Sequence, residues 1–126
     1  MSKKIEVFTH CDVRFHSRTD WELLADLVFM PTREVVKKGF RTDFASIPKI
    51  FHSLLSPFGS YGKAAIFHDE GYVNATVRNE AERKRIDDRF KMMMKADGVG
   101  WFLRTLIYGR VRHFGALVFY RKRASQ

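Results

Sequence analysis

The chain has 126 residues, 45% hydrophobic and 14% aromatic, which is enough apolar material for one modest core and too much for a disordered tail. Its single cysteine, Cys11, excludes an intrachain disulfide, and no paired-cysteine zinc spacing is present. The formal net charge is +9, and no acidic residue follows Asp97, so Arg104, Arg110, Arg112, Arg121, Lys122 and Arg123 lie in a stretch of unopposed charge. That balance points to a polyanion: an anionic membrane surface, another protein, or, on charge alone, nucleic acid. The N-terminus carries charge after one apolar residue and does not read as a secretory signal, so a cytoplasm is the expected site of folding. The greasiest stretch, Val99 to Tyr120, is interrupted by Arg104, Arg110 and Arg112. Each would cost roughly 2.5 kcal/mol or more at a bilayer centre, which excludes a spanning helix and leaves surface contact open.

In chain order, the first part reads as short strands. Ile5–His10 and Val13–His16 alternate weakly, and Trp21–Met30 is a longer apolar run closed by Pro31-Thr32. Glu34–Lys37 could return beside that run as a hairpin. Gly39–Pro48 reads as a buried turn leading into a helix, with Ser46 as a cap and Pro48 in the first turn. Helices are expected over Ile47–Leu55, Tyr61–Ala75 and Glu80 to about Ala96, the last stopped by Gly98. A fourth runs from Gly98 to Tyr120, with Gly109 or Gly115 as a possible break. The sum is one α+β domain over 1–126: short antiparallel strands in 1–38, motif-bearing helices in 39–98 and a basic aromatic helix in 99–126, with two of three to four helices forming an antiparallel pair.

Two helical faces carry chemistry. In the helix over 80–96, Ile86, Phe90, Met93 and Met94 form an apolar stripe with Asp87 on its edge, where a carboxylate needs a partner; Arg83, Lys84 and Arg85 read as a solvated face. Which of Asp87 and Asp88 points inward depends on a helix phase that a one-residue slip would change. In the helix over 61–75, His68 and Tyr72 share a face with Ala64 and Ala65, while Asp69 is turned about 100 degrees aside. If the two helices pack antiparallel, Asp87 can meet His68 or Tyr72. A histidine held by a buried carboxylate has a fixed tautomer and can act as a base, and Asp69 could ligate a hard cation such as Ca2+. The plainer reading is a satisfied core histidine. Asp43 reads as a cap or an arginine's partner more readily than as a further ligand, and Cys11 and Ser46 have no evident base.

The segments Gly39-Phe40-Arg41-Thr42-Asp43-Phe44-Ala45-Ser46-Ile47-Pro48 and Ser56-Pro57-Phe58-Gly59-Ser60-Tyr61-Gly62-Lys63-Ala64-Ala65-Ile66-Phe67-His68-Asp69 resemble domain-of-unknown-function family 1353 of tailed bacteriophages and prophages. That resemblance covers roughly Trp21 to Phe114 and implies a phage or prophage origin, hence a host cytoplasm or a virion, without supplying an activity. A second resemblance is local. Ala64–Tyr72 followed by Asp87-Asp88-Arg89-Phe90 is similar to the paired helices of phospholipase A(2), particularly the disulfide-free version of parvovirus capsids. It implies His68 as general base, Asp87 as its orienter, Tyr72 as a support and Asp69 as calcium ligand. Such enzymes place a glycine-rich calcium loop well before the histidine, whereas the corresponding window here, Pro48–His52, holds no glycine.

The last helix offers an apolar stripe of Leu103, Leu106, Ile107, Val111, Phe114, Leu117 and Val118. Opposite it, Arg104, Arg112, Lys122 and Arg123 are interleaved with Trp101, Tyr108 and Phe119. Aromatics beside cations suit a membrane interface and also suit nucleic acid. The expectation is therefore a phage-encoded phospholipase A(2)-like hydrolase acting at membranes, with a calcium ion at Asp69 and with Trp101, Arg104, Tyr108, Arg112, Lys122 and Arg123 in contact with the polyanion. The alternatives are a non-catalytic virion or host-interaction protein that keeps the His-Asp pair as structure, and a basic nucleic-acid-binding module.

Overall fold

The computed structural model describes residues 6–59 and 61–124, excepting the side chains of 122–124. Strands come first and helices after, an α+β architecture as the sequence pattern requires. Strand β1 (Val13–Ser17) pairs antiparallel with β2 (Asp20–Leu23), with Val13 opposite Leu23 and a register irregularity between Phe15 and Ser17. The long apolar run does not form one strand. It breaks after Leu23 and resumes as β3 (Leu27–Phe29), which pairs with β4 (Glu34–Val36). The hairpin therefore forms, but from a shorter strand, and Arg33 turns it at φ 60. β5 (Arg41–Thr42) adds to β2, giving a three-stranded β1-β2-β5 sheet beside the two-stranded β3-β4. The strand expected at Ile5–His10 is, over its described residues, a single bridge of Phe8 to Phe29.

Ser46 does not cap the short 3-10 helix Lys49–Leu54, whose preceding residue is Pro48; its hydroxyl is engaged elsewhere, as described below. Helix α1 (Gly62–Asn74) follows. Gly62 is required there because a Cβ would lie 2.1 Å from the Ser56 carbonyl oxygen. Helix α2 (Glu80–Ala96) starts where Asn79 accepts the Glu82 amide through its side chain and ends at Gly98, which takes φ 94. Helix α3 (Trp101–Ala124) is continuous through both Gly109 and Gly115.

The helices run antiparallel in sequence. His68 and Tyr72 meet Asp87, and Phe67 meets Arg89; Arg112 meets Asp87, and Tyr108 meets Asp88, so partner numbers rise on one helix as they fall on the next. Helix α1 is the central element. Its run Ala64 to Asp69 is buried on every side, under strands β4 and β5 and helices α2 and α3. Small alanines allow this close approach, and the core around them holds Trp21, Leu27, Phe29, Phe44, Phe67 and Phe90. A smaller cluster of Tyr72, Ile86 and Phe119 lies under α3. Arg78 clamps that corner: it donates to the carbonyls of Tyr72 and Val73 at the end of α1 and of Phe119 on α3, and stacks on the Phe119 ring.

The stripe expected on α3 is borne out at Ile107 and Val111, with Leu103 and Val118 packed at its edges, and fails at three positions. Ile107, Val111, Gly115 and Phe119 are buried, whereas Leu106, Phe114 and Leu117 are exposed. A helix apolar around most of its circumference gives no unique phase. What decides is the close approach of Tyr72 to Gly115, where a Cβ would stand 2.6 Å from the tyrosine oxygen. Arg83 likewise turns inward rather than lying on a solvated face.

Candidate functional site

The Asp87 side chain has no exposed surface, and α2 aims it at α1. His68 Nε2 donates to Asp87 Oδ1 at 2.7 Å, and the Tyr72 hydroxyl donates to the same oxygen at 2.6 Å. Arg112 Nη1 donates to Oδ2 at 2.7 Å, joined by Arg83 Nη1 at 3.4 Å. Four donors fill the roughly four acceptor sites of a carboxylate, so no lone pair is left for another ligand. Both guanidiniums also bond Glu80, which makes a quartet of two acids and two arginines with no net charge. Burial pushes the Asp87 carboxyl up, but the hydrogen bond and charge of His68 and the bonds from Tyr72 and Arg112 outweigh it and hold the carboxyl below its usual range. The Tyr72 hydroxyl is driven well above its ordinary value, first by burial and then by the Asp87 charge.

The other face of His68 meets the 39–48 segment. Its Nδ1 lies 3.0 Å from Ser46 Oγ. With Nε2 donating to Asp87, Nδ1 is left to share its hydrogen bond with the serine hydroxyl. Ser46, His68 and Asp87 thus form a hydrogen-bonded chain of serine, histidine and aspartate. Sequence reasoning left Ser46 without a base; the two residues lie 22 apart, and no local pattern announces that the turn folds back over α1.

Asp69 is buried as well. Its Oδ2 accepts from the Thr42 hydroxyl at 2.6 Å, and Oδ1 accepts from the Ser46 amide at 3.3 Å. Thr42 Oγ1 in turn accepts the Phe44 amide, and Asp43 accepts the Ala45 amide. These bonds hold Phe44 at φ 58, a conformation costing a non-glycine residue about 1–3 kcal/mol, while its ring packs edge-on against Trp21 at 4.7 Å. His52 Nε2 donates to the Phe44 and Ile47 carbonyls and closes the turn from outside. Both Asp69 oxygens are thus taken by hydrogen-bond donors of the chain, a hydroxyl and an amide. Among the described residues no group of three or more histidine, cysteine, aspartate or glutamate side chains is placed to hold a metal.

The structure therefore brings His68, Tyr72, Asp87 and Arg112 together and sets Asp69 beside them, but in a network sealed by the chain. A cavity of about 330 Å³ lies beside the turn, between Ile47, Lys49 and His52 on one side and Val118 and Arg121 on the other. His68 and Asp87 are not on its wall.

The residues expected at a polyanion are divided. Arg112 faces α2, Tyr108 donates to Asp88, and Arg104 donates to the Val99 carbonyl. Phe119 is in the core, and Trp101 alone of these aromatics is broadly exposed, at 69%. Lys122 and Arg123 lie outside the described side chains. Among the described residues no helix is long and apolar enough to cross a membrane.

Compared with known proteins, residues 21–111 match the model of the family described as "Protein of unknown function (DUF1353)". No curated protein and no solved structure matches the chain. The match takes in β2 to β5, the turn with Thr42 and Ser46, helices α1 and α2 and the first half of α3, which is the whole framework of the buried network except Arg112. The chain belongs to that family, DUF1353.

Proposed function

We propose that this is a non-catalytic binding protein, in which the Ser46–His68–Asp87 network is internal framework and partners are met on the surface. One observation carries the reading: His68, Tyr72 and Asp87 have no exposed surface, and the chain itself occupies both ring nitrogens and both carboxylate oxygens. A general base must reach a proton of water or substrate, and this one reaches only Ser46. The setting proposed with it, a phage or prophage product acting in a host cytoplasm or a virion, rests on the family resemblance and not on the geometry.

A second reading, a phospholipase A(2)-like hydrolase, has support in one arrangement: His68 is oriented by Asp87 and Asp87 by Tyr72, in the order that chemistry uses. Against it, Ser46 Oγ stands where a catalytic water would be needed, and Thr42 and the Ser46 amide stand where calcium would be needed. Hydrolysis would require the 42–46 turn to leave.

The two readings separate in one experiment. Fatty-acid release from phospholipid vesicles is measured with calcium and with chelator, for the intact protein and for His68→Gln, alongside urea unfolding of both. The expected result is no release from either, and a loss of about 1–3 kcal/mol of stability in the variant, whose buried partners Ser46 and Asp87 are left poorly matched. Release that the intact protein shows and His68→Gln lacks, at equal folded fraction, overturns the proposal.

A further inference from the structure

The outward side of α3 is unusual for a protein with a complete core. Phe102, Leu106, Gly109, His113, Leu117 and Tyr120 are all exposed and fall at spacings of 4, 3, 4, 4 and 3, a single stripe about 27 Å long at 1.5 Å per residue. It lies opposite the buried Ile107, Val111, Gly115 and Phe119. Phe102 is 74% and Leu117 68% exposed, with Trp101 beside the N-terminal end. No lysine or arginine stands within the stripe. Arg110 and Arg121, both exposed, stand on its rim, and α3 contains no acidic residue. Apolar side chains exposed in line at both ends of this stripe, with only Gly109 and His113 between them, mark an interaction surface rather than ordinary scattered exposure.

Charge decides between occupants. The stripe is centred near Val111, so a second copy laid antiparallel across it would bring the Arg110 side chains of the two copies together at the axis. Helix α3 supplies no carboxylate to neutralise that pair of arginines. Nucleic acid needs cations where it makes contact, and the centre of the stripe has none. An anionic lipid surface meets both features: apolar side chains enter the acyl boundary while the flanking arginines remain at headgroup depth, as in helices that lie in the plane of an interface.

We infer that α3 is a membrane-surface helix, docking on anionic phospholipid through Phe102, Leu106, Leu117 and Tyr120 with Trp101 at one end and Arg110 and Arg121 at the rim. The inference rests on the surface-binding reading above and names its partner. Arg104, Tyr108 and Arg112, which residue type alone placed at the contact, serve the fold instead.

The full chain is titrated with phosphatidylcholine vesicles with and without about 30 mol % phosphatidylglycerol, the anionic lipid supplying the surface potential. Binding is followed by co-sedimentation and tryptophan emission. Of the two tryptophans, Trp21 is buried and Trp101 exposed, so a blue shift reports Trp101 leaving water. The expected result is binding to the anionic vesicles at least about tenfold tighter than to neutral ones, weakened by salt. The double substitution Leu106→Glu and Leu117→Glu is expected to remove it with an unchanged unfolding midpoint, since both positions are exposed. Absence of binding to anionic vesicles overturns the inference, as does undiminished binding by the folded double variant. A dimer in sedimentation equilibrium that the same substitutions dissociate assigns the face to a second copy and also overturns it. Fatty-acid release is followed in the same vesicles: His68-dependent release with binding intact defeats the non-catalytic reading and leaves the docking surface standing.

Discussion

Replacing Asp87 by asparagine tests whether the buried quartet holds the three helices together. The substitution keeps size and shape but removes the charge facing Arg83 and Arg112. His68 Nε2 and Tyr72 can still donate to the amide oxygen, while the amide nitrogen is turned toward two guanidiniums that are themselves donors. Arg83 is only 5% exposed and keeps Glu80 as a partner; Arg112 is half-buried and has Glu80 and water. Breaking a buried pair by removing one partner costs about 3–5 kcal/mol, and the remaining Glu80 contacts put this case near 3. A domain of this length has on the order of 6–19 kcal/mol to lose. Equilibrium urea unfolding followed by circular dichroism, with a slope of about 2 kcal/mol per molar, should show the midpoint fall by roughly 1.5 M. A loss below about 1 kcal/mol would refute the argument that Asp87 is the central acceptor of the core, and would leave its burial without a stabilising role.

Two glycines of α3 should respond in opposite directions to alanine. At Gly109 a Cβ meets nothing within 4 Å, so Gly109→Ala should stabilise by about 0.5–1 kcal/mol through helix propensity alone. At Gly115 the same Cβ would stand 2.6 Å from a Tyr72 oxygen that Asp87 holds in place, and overpacking of about 1–3 kcal/mol should exceed that gain; thermal melts giving the reverse order would contradict the packing described. Stability should also depend on acid in a defined sense. The Asp87 carboxyl is held below its usual range despite burial, and hydrogen bonds from Arg83 and Arg112 do the same for Glu80, so their contribution is complete above the unfolded carboxylate values of about 4 and is lost as pH falls through the lower folded values. Unfolding free energies measured from pH 7 to 2 should fall less steeply for Asp87→Asn than for the intact chain, and equal slopes would rule out Asp87 as a source of the acid sensitivity.

Much of the site was legible because it lies on helices, whose period is fixed. His68 and Tyr72 are one turn apart on α1, Asp87 sits on the edge of the Ile86–Phe90–Met94 stripe, and an antiparallel hairpin of two helices brings them together with little freedom. The same geometry settles Asp87 as the inward residue and sends Asp88 out to Lys84 and Tyr108. What escaped lies on the turn and on α3. Ser46 reads locally as a helix cap, and only the return of the chain over α1 gives its hydroxyl to His68 and its amide to Asp69. Asp69, turned aside on an ideal helix, reads as an ion ligand until β5 and the turn close over it.

The sequence by itself determined the order of strands and helices, the two-helix frame of the buried pair and the concentration of positive charge after Asp97, because periodicity, caps and composition are local quantities. Tertiary structure decided which atoms meet: that the pair is sealed by Ser46, that Arg83 and Arg112 turn inward to neutralise Asp87 and Glu80, and that α3 rotates to put Gly115 on Tyr72 and leave Phe102 and Leu117 in water. A helix apolar on most sides has no preferred rotation of its own, and a buried carboxylate no preferred partner. Both are fixed by long-range packing, where the cost of an unsatisfied buried charge outweighs any local preference.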